Sequence, residues 1–109
     1  MITKTTSQRL FDRLEVRFPA RLKKENLAED QDIIVKDFSP EGVKILTTKE
    51  LSLFDRFSLS FSPSHDLTYS SMPGHIVWTG QESSGAWHAG FKFEKVDLLK
   101  ANRIIELCQ

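Results

Sequence analysis

The chain holds a single cysteine, Cys108, in 109 residues. No disulfide framework can be built from it, and a reducing cytoplasm is the expected setting. Apolar runs last only a few residues. A bilayer-spanning helix needs about 20, so no membrane insertion is expected. The N-terminal stretch "MITKTTSQRL" lacks the apolar core of a secretory signal. Net charge is also missing: the formal value is zero. That weighs against sequence-independent binding of long nucleic acid, which depends on many phosphate contacts. The three histidines, His65, His75 and His88, form no H-x-x-x-H pair, and there is no C-x-x-C. Metal ligation therefore has little to rest on. A G-x-S-x-G elbow and a glycine-rich phosphate loop are both absent. The expectation is a protein that is not an enzyme and carries no metal and no cofactor.

What is present suits one folded domain. Apolar residues make up 39% and charged residues 28%, with no internal repeat or low-complexity tract. That length supports a core without disulfide staples. From Phe18 onward, period two dominates. "DRFSLSF" (55 to 61) puts Phe57, Leu59 and Phe61 on one face, and "WHAGFKF" (87 to 93) does the same with Trp87, Ala89, Phe91 and Phe93. "DIIVK", "VKIL" and "GHIVW" (74 to 78) are further short strands, separated by turn signals such as Ser-Pro-Glu-Gly and Met-Pro-Gly. Short strands at such spacing imply a sandwich or a small barrel. As strand aromatics, Trp78 and Trp87 are expected in the core.

The period changes at the C-terminus. In "VDLLKANRIIELC" (96 to 108), Leu98, Ala101, Ile105 and Cys108 recur at helical spacing, and Leu99 and Ile104 widen the stripe. Asp97 reads as the N-cap. The apolar face is expected to serve the core.

The zero net charge hides an asymmetry. Residues 1 to 24 hold seven bases and only two acids, Asp12 and Glu15, a net of +5; the remainder is −5. A basic arm beside an acidic body suits a small anionic ligand. The alternative is an arm that docks on its own acidic domain.

Two clusters stand out. "RLEVR" places Arg13 and Arg17 four apart, and "RFPARL" follows at once. Pro19 disfavours helix at Phe18, so the pair lies at a junction entering a strand. Each guanidinium offers a planar fork for phosphate and a flat face for a base. Alone, the spacing is also that of two solvated arginines. Asp37, Ser39 and Gly42 fall in "DFSPEG". A carboxylate can accept the two adjacent N–H donors of a guanine edge, a hydroxyl can add a contact, and glycine can clear room for a flat ligand. The same residues serve an Asx-type turn.

Taken together, R-x-x-x-R at 13 to 17 followed by D-x-S-x-x-G at 37 to 42 resembles the PilZ domain family. "RFPARL", "GHIVWTG" with Trp78, and "AGFKFEKVD" with Gly90 and Phe91 resemble that family's strands. The likeness runs from about residue 9 to 108. It implies a mainly all-β fold: a six-stranded antiparallel barrel with a C-terminal helix from about 96, spanning 13 to 109. A flexible arm (1 to 12) would precede it. It also implies a bacterial receptor for the second messenger cyclic di-GMP, with Arg13 and Arg17 on phosphate and a guanine face. Asp37, Ser39 and Gly42 would line the guanine, and Asp12 and Gly90 would be secondary contacts. The arm would rearrange on binding and pass the signal to a partner protein, in processes such as motility, biofilm formation or virulence. Asp12 stands where some members have another arginine and hold two ligands. Its charge repels extra phosphate, which implies one ligand per chain. A monomer or weak dimer is expected. The alternative is a PilZ-like adaptor that binds protein and no nucleotide.

Overall fold

The computed structural model describes residues 13–24, 30–61 and 70–108. Six strands and a helix follow in order: β1 (Leu14–Lys24), β2 (Asp30–Ser39), β3 (Gly42–Thr47), β4 (Arg56–Phe61), β5 (Ser70–Gln81), β6 (Trp87–Phe93) and α1 (Leu98–Cys108). Every pairing is antiparallel, and the sheet closes in the order β1-β2-β3-β6-β5-β4, with β4 returning to β1. The architecture is the six-stranded antiparallel barrel with a C-terminal helix that the resemblance implies.

Alternation builds the interior. Leu22, Val35, Ile45, Leu59, Ile76 and Phe91 point inward from the six strands in turn and are almost wholly buried. Each such side chain stabilises the fold by about 1.5–3 kcal/mol. Phe93 packs against Phe38 and Phe91 at centroid distances of 6.0 and 5.8 Å. Pro19 is accommodated within β1 because that strand meets its second neighbour, β4, only from Arg21 onward. No ladder hydrogen bond is asked of the missing N–H.

Three irregularities shift the ladder register, and those in β2 and β5 also break the alternation. The β1–β2 register shifts between Glu15 and Phe18, the β2–β3 register between Val35 and Asp37, and the β5–β6 register between Ile76 and Trp78. A bulge inserts an unpaired residue and turns the following side chains to the other face. In β5, Met72, Gly74 and Ile76 are buried by strict alternation, yet Val77 and Trp78 are both exposed. In β2, Val35 and Phe38 are buried, while Lys36 and Asp37 between them are not.

At α1, Asp97 accepts the Lys100 N–H at 3.0 Å, the expected N-cap. Ala101 and Ile104 join the barrel core, with Ile105 partly buried against it. The expected stripe is narrower than its sequence. Leu98 is 48% exposed and Leu99 is 86% exposed, although Ala101 in the same first turn is buried in the core. The Cys108 side chain lies outside the described residues. Among the described residues, no helix is long and apolar enough to cross a membrane.

Candidate functional site

The three bulges bring one rung of outward positions into line across five strands. Glu15 on β1 lies opposite Asp37 on β2, and Asp37 lies opposite Lys44 on β3. Lys44 lies opposite Gly90 on β6, and Gly90 opposite Trp78 on β5. Two adjoining clefts open on this rung, sharing Asp37 and Lys44. One, of about 340 Å³, is completed by Glu15, Val16, Arg17 and Lys36. The other, of about 230 Å³, is completed by Arg13, Val43, Trp78 and Gly90.

Arg13 immediately precedes β1 and reaches back to the end of β2. Its Nη1 donates to Asp37 Oδ1 at 2.5 Å, with the two side chains 28% and 20% exposed. The same oxygen accepts the backbone N–H of Lys44 at 3.1 Å. Asp37 therefore does not form the local Asx turn that its sequence allows; it ties β1 to the β2–β3 ladder. Arg13 Nε is buried without a hydrogen-bond partner among the described residues. Arg17, within β1, is exposed at the rim of the larger cleft.

Two residues of the D-x-S-x-x-G stretch, Ser39 and Gly42, are packed within the barrel wall. Only Pro40 and Glu41 form the turn; Asp37 to Ser39 already belong to β2. Ser39 is 0% exposed. Its hydroxyl accepts the Glu41 N–H at 3.2 Å and donates to the Gly42 carbonyl at 3.4 Å, so it braces the turn. Gly42 is buried, and a Cβ on it would stand 2.2 Å from the Phe91 carbonyl oxygen. The close approach from β6 by itself requires glycine here. Gly90 lines the smaller cleft, but its missing Cβ leaves room for the Trp78 indole, whose Nε1 would otherwise be 2.1 Å away. Asp12 lies outside the described residues, as does the arm.

Sequence reasoning missed three side chains at this site. Trp78 is 40% exposed, not core, and stands as an indole wall beside Arg13 and Asp37. Its edge meets the His88 ring at 5.4 Å and 83°. Trp87 is half-buried. Lys36 and Lys44 were visible only as the polar members of "DIIVK" and "VKIL". Their one signal was position, since each abuts an apolar run that flanks the Asp37 stretch. Among the described residues, no group of histidine, cysteine, aspartate and glutamate is arranged to hold a metal ion.

The family model of the PilZ domain matches residues 7–109. The chain belongs to the PilZ domain family. Solved structures share the PilZ barrel at low identity. The inhibitor of motility of Bacillus subtilis (MotI/DgrA) superposes with a TM-score of 0.73 at 11% identity, covering 99% of this chain and 55% of that one. The PilZ domain of Escherichia coli YcgR, solved with c-di-GMP, gives 0.70 at 12% identity over 94% of this chain and 89% of its own. Borreliella burgdorferi PlzA, also solved with c-di-GMP, gives 0.66 at 14% identity over 95% and 42%. The chain thus spans about half the length of the motility inhibitor and less than half that of PlzA. A search of curated proteins found no match.

Proposed function

We propose that this PilZ domain is a receptor for cyclic di-GMP and passes the signal to a partner protein. The observation that carries the reading is the pair of adjoining clefts, which gather Arg13, Arg17, Asp37 and Trp78 onto one wall of the barrel. Those four groups supply what a cyclic guanine dinucleotide asks for. Guanidinium forks suit its two phosphates, a carboxylate suits a guanine edge, and an indole offers a flat apolar surface. That two PilZ relatives of the same fold were solved with c-di-GMP supports the ligand class.

In this reading Arg13, Arg17 and Asp37 touch the ligand. Ser39 and Gly42 act one step behind them, by fixing the turn from which Asp37 and Lys44 project. Ligand phosphate competes with Asp37 for Arg13. Moving Arg13 moves the segment that precedes it, and that rearrangement is the output. We take one ligand per chain, because Asp12 places a negative charge before Arg13.

Calorimetry with cyclic di-GMP tests the reading. Micromolar or tighter binding at one ligand per chain is expected, lost in Arg13→Ala and in Arg17→Ala. Absence of heat with the wild-type protein would overturn it in favour of a protein-binding adaptor.

A further inference from the structure

The larger cleft has more positive charge than its acids balance. Arg17 from β1, Lys36 from the β2 bulge and Lys44 from β3 border it together. None of the three has an ion-pair partner among the described residues. Of the two carboxylates there, Asp37 is already taken by Arg13.

Unpaired lysines are ordinary on a solvated face, so their surroundings decide. Lys23, Lys49, Lys92 and Lys95 are exposed, as a solvated face requires, whereas Lys36 and Lys44 are half-buried. Cations that converge from three strands repel one another, and partial burial strengthens that repulsion by lowering the local dielectric. An incoming anion relieves it. The bulge explains why Lys36 is there at all. Strict alternation would put Lys36 and Asp37 on opposite faces, and the register shift between Val35 and Asp37 leaves both at the cleft. Lys44 borders both clefts. A cyclic dinucleotide carries its two phosphodiesters between its two bases, so a ligand reaching into both clefts lays its charge across Lys44.

We propose that Lys36 and Lys44 are phosphate-binding residues of this site and close, with Arg17, on the phosphodiesters of a bound cyclic dinucleotide. The proposal rests on the receptor reading above and extends it to two residues outside both sequence motifs.

The test is calorimetry on Lys36→Gln and Lys44→Gln, with cyclic di-GMP and cyclic di-AMP at low and high ionic strength. Each substitution should weaken cyclic di-GMP binding by about 5- to 30-fold, as expected for a charge-assisted contact that is partly screened. The dependence on ionic strength should become shallower. The preference for guanine over adenine should stay unchanged, because the lysines read phosphate and not base. Thermal unfolding should hold or rise slightly, since neither ammonium is paired in the free protein and each substitution relieves the repulsion. If both variants bind as the wild type does, the lysine proposal is overturned while the receptor reading stands. A change in base preference without a change in salt dependence would also overturn it. If the wild-type protein binds no cyclic dinucleotide, the receptor reading falls and inorganic pyrophosphate becomes the probe. Lysine ε-methylene NMR signals that shift at Lys36 and Lys44, and not at Lys23 and Lys95, then support phosphate binding. Uniform or absent shifts overturn it.

Discussion

Arg13 and Asp37, 24 positions apart in sequence, hold each other at 2.5 Å across the mouth of the smaller cleft. Under the proposed receptor reading each touches a different part of the ligand, yet in the free protein each satisfies the other. Binding would then be an exchange of partners, its affinity what remains after the Arg13–Asp37 contact is given up.

A double-mutant cycle measures that contact. Arg13→Ala, Asp37→Ala and the double variant should give a coupling of about 0.5–1 kcal/mol in urea unfolding, small because both side chains are partly solvated. A coupling of zero would mean that the pair does not hold β1 to β2, and the exchange would then cost the ligand nothing.

Asp37→Ala should also change ligand choice. With the carboxylate gone, preference for cyclic di-GMP over cyclic di-AMP should fall about tenfold or more, the scale of a lost charge-assisted hydrogen bond. The salt dependence should change less than in Arg17→Ala. Competition calorimetry reads both, and an unchanged preference would remove Asp37 from the guanine edge.

Trp78 is the natural reporter. In a Trp87→Phe background its fluorescence should change on titration with cyclic di-GMP, while pyrophosphate should leave it unaltered. Trp78→Ala should weaken binding by about 10-fold, within the range for loss of one base–aromatic contact. Equal affinity with an unchanged spectrum would place the base elsewhere.

Gly42→Ala tests the β3–β6 contact of the barrel. The added methyl would meet the Phe91 carbonyl oxygen at 2.2 Å, so β3 and β6 must separate locally. A loss of about 2–4 kcal/mol in unfolding free energy is expected. Full stability would show that the two strands tolerate the opening.

Phe54 carries a left-handed backbone, φ 69°, while its side chain is 73% exposed. Its N–H donates to the Ile76 carbonyl at 2.8 Å, which pins the loop to β5. Phe54→Asn keeps that bond and suits the left-handed region better. It should stabilise the fold by about 0.5–1 kcal/mol, read as a higher Tm.

Much of the fold is legible in the sequence because alternation states it directly. "DRFSLSF" and "WHAGFKF" correspond to β4 and β6, with Phe57, Leu59, Ala89, Phe91 and Phe93 inside. The site is less legible. Trp78 continues the buried series Met72, Gly74, Ile76 by position, and only the bulge at Val77 turns it outward. A bulge leaves no mark in apolar spacing. Lys36 and Lys44 mean little until β2 and β3 pair and bring them to one cleft. Gly42 was recognisable as a position needing glycine, but the atom that crowds it belongs to β6, far along the chain. For α1 the period and N-cap were readable. Which of its apolar residues meet the barrel was not: Ala101 and Ile104 are buried, while Leu98 and Leu99 are exposed.

The sheet returns to its first strand, with β4 paired to β1. Closure is local, however: β4 meets β1 only along Arg21–Lys24 and β5 only along Ser70–His75, so among the described residues the first half of β1 and the second half of β5 have a strand on one side alone. Such an edge is one to which a partner can add a strand of its own. In the proposed receptor, release of Arg13 from Asp37 would act at the start of that β1 edge.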